Sequence, residues 1–365
     1  FLFVAFVYRK EWRSYLKNSL KDIAQVEALF VFALFSFLLL YGFRGPIFSG
    51  EKPMDMQFLH LYQKLPAAPH QEPWSWGERI KYYVLGYRTL GLFFPQFLFS
   101  VGMQGYFYAL GLCFVFTQFL LSLYAFFFFF LKRSVAFLTS LGLCFAPNFV
   151  ALLLSLVEET SFKNFWRASR LFEGEKFTEF PFWSFLFGDL HPHFMATPMV
   201  VSIFTLFTYL RIKSREQNFF PYALCGIFMA ILVRLNIWDA LALSFLILLE
   251  LIFSGRIFYL TQKRLSREYG VFTFFFFTLS LGFLTQAGKR GDVLLAVSGK
   301  DINSLQNYFW HYGLWWFVLA LVFIISLSQK KRYFSKFFVL LSFCLSLMVL
   351  AAEYFTLMDR WNTLF

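Results

Sequence analysis

Apolar runs long enough to cross a lipid bilayer recur along the whole chain, and they constrain its fold more than any other feature. One of them, VEALFVFALFSFLLLYG at 26–42, is almost pure hydrocarbon. About 20 such residues in a helix cross a bilayer core of roughly 30 Å. Only 15% of the 365 residues are charged, against about a quarter in soluble domains. We therefore predict an all-α polytopic membrane helix bundle that forms a single transmembrane domain over residues 1–365.

The bundle is predicted to contain about nine to ten spans. We place them near 26–43, 104–131, 134–156, 194–212, 219–235, 238–255, 270–286, 312–329 and 336–352, with residues 1–8 as the end of a tenth. The chain begins with Phe1 and stops at DRWNTLF, so we expect a fragment truncated at both ends.

Short basic loops predict how the bundle is oriented. Alternation through the spans puts five of them on one face, at 9–21, 131–133, 211–216, 255–268 and 329–336. Because cytoplasmic loops carry an excess of Lys and Arg, this face is predicted to be cytoplasmic. The same rule explains the net charge of +12 without a nucleic-acid partner. The extracytoplasmic face of the cell (inner) membrane then receives the outer loops 44–82, 157–193, 287–311 and 353–365, with most of the unusual polar clusters.

The first outer loop contains GEKPMD, in which Glu51 and Asp55 closely follow a span. Pro53 fits the first turn of a helix, and an apolar stripe at helical spacing follows it at Met54, Phe58, Leu61 and Leu65. We predict a short interfacial helix with Asp55 in its first turn, where the helix dipole favours a carboxylate. Asp55 then either caps this helix or points into a cavity as a general base or metal ligand.

The second outer loop ends in GDLHPH, where Asp189, His191 and His193 alternate with other residues. Pro192 biases His191 towards an extended backbone, and in an extended segment the three side chains share one face. Two imidazoles and a carboxylate are suited to a divalent cation (Mg²⁺ or Mn²⁺) or to a phosphate. The alternative is a purely structural role, as a polar turn before the helix predicted from residue 194.

Other polar residues of the same face allow two readings. Asn236 and Asp239 occupy a tight turn that requires polar residues in any case. Arg234 and Arg360 suit a lipid phosphate, and they suit pairing with a carboxylate equally well. The segment GERIKYYVLGYRTLGLFF at 77–94 is typical of an interfacial amphipathic helix, for which simple anchoring is the favoured role.

The ordered set GEKPMD, PWSWGERIKYYVLGY, FPFWSFLFGDLHPH, NIWD and DRWNTLF resembles the YYY family of uncharacterised prokaryotic multi-pass membrane proteins. The family's tyrosine triplet reads Tyr82-Tyr83-Val84 here, and Trp361 replaces its usual Met before Asn. The family distantly resembles the GT-C glycosyltransferases, which move a sugar from a polyprenyl-phosphate carrier at the extracytoplasmic face. The resemblance implies a catalytic carboxylate at Asp55, with Glu51 as the alternative, and a second acidic site at Asp189. It implies that lipid phosphate or substrate contacts Lys52, Tyr82, Tyr83, Arg234, Asn236, Asp239, Arg360 and Asn362.

Three functions follow from these features. The first is a GT-C-like glycosyltransferase whose partners are membrane lipid and a polyprenyl-phosphate-linked sugar, with further membrane subunits left open. The second is a non-catalytic scaffold or lipid-binding subunit that keeps the fold. The third is a transporter, which is the weakest because transporters carry charged residues inside their spans, whereas these spans are nearly free of them.

Overall fold

The computed structural model describes residues 9–42, 52–64, 80, 83–94, 104–146, 148, 150–151, 153–154, 162–170, 179–212, 220–253, 270–280, 294–297, 309–310, 313, 317, 320–321, 324 and 355–358. The predicted span at 336–352, and most of the one at 312–329, lie outside these residues.

The described chain is helical, as predicted from its apolar runs. Its helices are α1 (Arg9–Tyr41), α2 (Lys52–Lys64), α3 (Leu85–Phe93), α4 (Gln104–Phe128), α5 (Arg133–Cys144), α6 (Phe162–Ala168), α7 (Pro181–Phe187), α8 (Pro192–Ile212), α9 (Phe220–Leu235), α10 (Ile237–Phe253) and α11 (Gly270–Ser280). Proline stands in the first turn of α2, α7, α8 and α9, where its missing N–H costs no hydrogen bond.

Three of the described helices are long and apolar enough to cross a membrane: Ser19–Tyr41 within α1, Gly105–Phe128 within α4 and Pro192–Leu210 within α8. The helices α5, α9, α10 and α11 are apolar but shorter over the described residues. Multiple membrane spans are therefore supported, while the number nine to ten stays a prediction.

The first helix is longer than predicted. Residues 9–21, predicted as a basic loop, are helical and continue directly into the apolar run, so α1 has 33 residues. A helix of that length rises about 50 Å, which exceeds the roughly 30 Å hydrocarbon layer. The prediction was wrong because basic residues mark where a span leaves the hydrocarbon and do not mark where its helix begins.

Contacts along α1 place the basic residues and the polar motifs at opposite ends of the bundle. Near one end, Arg133 bonds the Asp22 carboxylate at 3.0 Å. At the other end, Tyr41 lies against Gly188 of the GDLHPH segment. Asp22 and Tyr41 are about 28 Å apart along a helix that rises 1.5 Å per residue. Arg133 and the GDLHPH segment therefore lie near opposite ends of α1, while the separation of all basic loops from the motif-bearing loops, and which end faces the cytoplasm, stay predictions.

A stack of aromatic rings fixes the helix that precedes GDLHPH. Phe185 of α7 stacks on Phe116 of α4 with ring centroids 4.2 Å apart and an interplanar angle of 7°. Phe37 of α1 packs against both rings. Such buried aromatic pairs contribute about 0.5–1.5 kcal/mol beyond their burial, so α7 is held firmly between two predicted spans.

One short strand pair interrupts the helical pattern. Strands β1 (Leu294–Val297) and β2 (Phe355–Met358) pair antiparallel, with Leu294 opposite Met358. The sequence analysis did not anticipate any strand. The pair joins the loops 287–311 and 353–365, which were both predicted to lie on the extracytoplasmic face.

Helices α2 and α3 pack with almost no space between their backbones at Gly91. A Cβ atom at Gly91 would lie 2.7 Å from the carbonyl carbon and oxygen of Tyr62 in α2. We expect Gly91→Ala to force the helices apart and to lower the free energy of unfolding by roughly 1–3 kcal/mol. Thermal unfolding of the protein in detergent micelles measures this loss.

Gly142 in α5 provides the matched control, because a Cβ atom there would meet nothing within 4 Å. Gly142→Ala is expected to be neutral or to stabilise the protein by up to about 1 kcal/mol, since Ala is the better helix former. Equal melting temperatures for the two variants would contradict the close packing of α2 on α3.

Candidate functional site

The buried face of α2 carries two charged side chains. Lys52 and Asp55 are both buried, together with Phe58, Leu59 and Tyr62. Pro53 and Asp55 lie in the first turn, as predicted, where the helix dipole favours the carboxylate. A buried charge is costly unless it has partners, so the burial of Lys52 and Asp55 points to a constructed polar site.

Asp55 is held by a tyrosine of the neighbouring helix. The Tyr87 hydroxyl in α3 donates a hydrogen bond to Asp55 Oδ1 at 2.5 Å. Both residues have 0% exposure, so the carboxylate is enclosed and does not open onto the surface in this structure. The segment 77–94 was predicted as one helix. In the structure Tyr83 and Val84 are not helical, and α3 begins at Leu85.

Tyr108 of α4 connects Asp55 to the GDLHPH segment. Its hydroxyl donates to the carbonyl oxygen of Gly188 at 3.0 Å and accepts from the backbone N–H of Leu190 at 2.9 Å. Asp55 and Asp189 both lie within electrostatic range of this hydroxyl. Tyr108 therefore fixes the backbone on both sides of Asp189.

Gly188 shapes the turn that carries Asp189. It follows α7 in the left-handed conformation with φ 74°, which glycine adopts without steric cost. The backbone N–H of Asp189 bonds the Ser184 carbonyl oxygen at 2.8 Å, and the Gly188 N–H bonds that of Phe185 at 3.2 Å. This pair of bonds is the Schellman motif that ends many helices, so the direction of the turn is fixed locally.

The three side chains predicted as metal ligands meet, although not through the predicted extended backbone. Helix α8 begins at Pro192, so His193 lies in its first turn and only residues 189–191 are non-helical. Proline favoured the start of a helix here more strongly than it favoured an extended continuation. The ligand atoms of Asp189, His191 and His193 nevertheless lie within 4.8 Å of one another. The two imidazole rings are 5.0 Å apart between centroids.

Two charged residues that the sequence analysis missed stand beside His193. Glu179 Oε2 lies 3.4 Å from His193 Nε2, and Glu179 Oε1 lies 3.4 Å from the Arg170 guanidinium. Burial alone would raise the pKa of Glu179, but the hydrogen bond and charge of His193, together with Arg170, lower it. Arg170 and Glu179 lie on either side of residues 171–178, which have a mixed composition. The only sequence signal for the burial of Glu179 is its position directly before the apolar run FPFWSFLF.

The tight turn between α9 and α10 also adjoins the cluster. Asn236 donates through Nδ2 to Asp239 Oδ2 at 2.9 Å and accepts from the backbone N–H of Trp238 at 3.2 Å, as a helix cap does. Asp239 interacts electrostatically with His193. Arg234 is exposed and donates to the carbonyl oxygen of Leu279 in α11 at 2.9 Å. The Asn236 amide is thus explained by capping, whereas Asp239 also acts on His193.

The first two outer loops meet directly at Lys52. Its ammonium lies 4.1 Å from the centroid of the Phe187 ring, at the end of α7 and two residues before Asp189. A cation over an aromatic face is attracted by the ring. The predicted contact between the loops 44–82 and 157–193 is therefore present over the described residues.

The remaining predicted site residues are placed as follows. Tyr83 is half-buried at the start of α3. Glu51, Tyr82, Arg360 and Asn362 lie outside the described residues.

The described part of this site offers three kinds of chemistry. Asp55 is a carboxylate fixed by a hydrogen bond, which suits a general base. Asp189, His191 and His193 form a donor set that transition-metal cations favour. Lys52 adds a positive charge on the same side of the bundle. We name these five residues the polar cluster.

Comparisons with known proteins identify a family and no activity. A family model described as uncharacterized membrane protein (DUF2298) matches residues 1–365. Neither the curated proteins nor the solved structures gave a match.

Proposed function

The chain belongs to the DUF2298 family of membrane proteins, and we propose that it is a glycosyltransferase that moves a sugar from a polyprenyl-phosphate carrier to an acceptor at the extracytoplasmic face. The proposal takes its reaction class from the distant resemblance between the GT-C enzymes and the YYY family, whose motifs GEKPMD and GDLHPH resemble. It takes its site from the polar cluster.

One observation carries the proposal: α2, which carries Asp55, contacts the segment that carries Asp189. The Lys52 ammonium of α2 lies 4.1 Å from the centroid of the Phe187 ring, two residues before Asp189. Like charges repel at short range, so bringing the two carboxylates towards each other in an apolar bundle costs stability. A transferase has a use for this arrangement, since one carboxylate can serve as a base while the other binds the cation that accompanies a phosphate.

In the proposed reaction, an acceptor hydroxyl attacks the anomeric carbon of the sugar. A new C–O bond forms as the bond to the phosphate oxygen breaks, and polyprenyl phosphate leaves with the bonding electrons. Asp55 accepts the hydroxyl proton and returns it to water after transfer. Tyr87 orients the Asp55 carboxylate through its hydrogen bond. The Lys52 ammonium lies over the Phe187 ring, two residues before Asp189, and offsets the charge of the leaving phosphate.

A divalent cation fits the donor set of Asp189, His191 and His193. Carboxylates outnumber the cationic side chains around the described cluster, with Asp55, Asp189, Glu179 and Asp239 against Lys52 and Arg170. A phosphate would therefore be repelled without added positive charge. Two imidazoles favour Mn²⁺ over Mg²⁺, which prefers oxygen ligands. When bound, the cation would neutralise the phosphate of the leaving group.

The scaffold function is the second candidate, and one observation favours it. Asp55 has no exposed surface, and its bond to Tyr87 gives it a purely structural use in holding α2 on α3. A transferase requires α2 and α3 to admit the acceptor to Asp55, whereas a scaffold does not.

A transfer assay separates the two functions. Membranes containing the protein would be incubated with a panel of radiolabelled polyprenyl-phosphate sugars, with membranes lacking it as the control. We expect label to pass from the lipid to membrane acceptors only where the protein is present. Label that stays on every carrier of the panel, with folded protein confirmed by its melting transition, would favour the scaffold.

Chelation tests the proposed cation in the same assay. We expect EDTA to reduce transfer at least tenfold, because the leaving phosphate then meets a net negative cluster. Mn²⁺ should restore the rate better than Mg²⁺, as the two imidazoles predict. Transfer that is indifferent to EDTA would remove the cation from the proposal and leave Lys52 as the counter-charge.

A further inference from the structure

We propose that Glu179 is a positioning residue that holds His193 through Nε2, so that the ring presents Nδ1 as the donor nitrogen of the polar cluster. The inference rests on the proposed function, because it assumes that the polar cluster binds a cation. It concerns a residue outside the GEKPMD and GDLHPH motifs, and it assigns a single tautomer to one ring.

Over the described residues, the hydrogen-bond contacts of the His193 ring are all to Nε2. Glu179 Oε2 and Ser184 Oγ each lie 3.4 Å from Nε2. A carboxylate only accepts hydrogen bonds, so the proton of a neutral ring facing Glu179 belongs on Nε2. The lone pair then belongs to Nδ1, since a neutral imidazole has one protonated and one unprotonated nitrogen.

Glu179 is itself fixed from the opposite side. Both terminal nitrogens of Arg170 lie 3.4 Å from Glu179 Oε1, so each carboxylate oxygen has its own partner. The guanidinium packs over the Trp166 ring at 4.4 Å and bonds the Ser169 carbonyl oxygen at 2.9 Å. These contacts anchor the carboxylate to α6.

Two further groups face His193. The His191 ring lies 5.0 Å away between centroids, and Asp239 acts on His193 electrostatically. A carboxylate behind a ligating histidine sets its tautomer and orientation, and removal of such a carboxylate weakens metal affinity by about 10- to 100-fold. Glu179 has the position that this role requires.

Nitrogen NMR of the histidines tests the tautomer without any need for activity. The chain has five histidines, so selectively ¹⁵N-labelled protein in nanodiscs gives few signals, and His193→Gln identifies the one of interest. In the neutral ring, we expect wild-type His193 to carry its proton on Nε2 alone. A proton on Nδ1 would overturn the inference.

Glu179→Gln keeps the volume of the side chain, but its amide can donate as well as accept. We expect His193 to become a mixture of tautomers in this variant, with the other histidine signals unchanged. Glu27→Gln is the matched control, because the same change is made at an exposed carboxylate of α1. A single Nε2–H tautomer that persists in Glu179→Gln would contradict the proposed role.

Cobalt titration supplies the second readout. Co²⁺ absorbs visibly when imidazoles ligate it, so its affinity can be measured without substrate. We expect Glu179→Gln to weaken Co²⁺ binding by about 10- to 100-fold and Glu27→Gln to leave it unchanged. Equal Co²⁺ affinity in Glu179→Gln and wild type would overturn the inference about Glu179 and leave the proposed function standing. If the tautomer and Co²⁺ results are as expected but no sugar is transferred, the proposed function fails and the inference about Glu179 stands.

Discussion

Asp55→Asn is expected to abolish sugar transfer while the protein stays folded. Asparagine keeps the shape of the side chain and an oxygen that can accept the Tyr87 hydrogen bond, but it cannot take the acceptor proton. Loss of a general base lowers rates by about 10²- to 10⁴-fold. Initial rates of label transfer from the carrier lipid measure this loss, and the melting temperature shows that the fold persists.

Asp22→Asn is the control for the same chemical change. Asp22 is exposed and pairs with Arg133 near the other end of α1, and exposed ion pairs contribute about 0–1 kcal/mol. We expect this variant to transfer sugar at the wild-type rate. Unchanged turnover in Asp55→Asn would remove Asp55 from the base role and make Glu51 the next residue to test.

Gly188→Ala is expected to damage the site and the fold together. Alanine in the left-handed region costs about 1–2 kcal/mol, and Gly188 has φ 74°. A Cβ atom there would also overlap the Tyr41 hydroxyl, and overpacking costs a further 1–3 kcal/mol, roughly. The turn that carries Asp189 must shift, so we expect a lower melting temperature and loss of Co²⁺ binding.

The double variant Gly188→Ala with Tyr41→Phe separates the two costs. Removal of the hydroxyl relieves the overlap but not the backbone strain, so we expect partial recovery of the melting temperature. If Gly188→Ala alone is as stable as wild type, the left-handed conformation of this turn is contradicted.

The sequence predicted the helices from hydropathy alone, since each apolar run must satisfy its backbone hydrogen bonds internally. The predicted span at 104–131 became α4 and the one at 219–235 became α9, each with small changes at the ends. The loop motifs around Asp55 and Asp189 could be found because charged residues beside apolar spans are conspicuous.

The partners of these motifs could not be found in the same way. Tyr87 and Tyr108 look like ordinary aromatic residues in a chain with 18 tyrosines. Only the packing of α3 on α2, and of α4 on the turn after α7, brings them to the two motifs. Glu179 depends on the fold of α7, which turns the chain back towards His193. Long-range packing decides such contacts, and no local pattern encodes it.

The most direct test of the account is a cryo-EM structure of the protein in nanodiscs with a polyprenyl phosphate bound. We expect phosphate density between Lys52 and the Asp189–His191–His193 group, with the lipid chain leading from it into the membrane. Polyprenyl phosphate bound elsewhere on the protein, with the polar cluster unchanged and without lipid density, would contradict the claim that this cluster is the site of transfer.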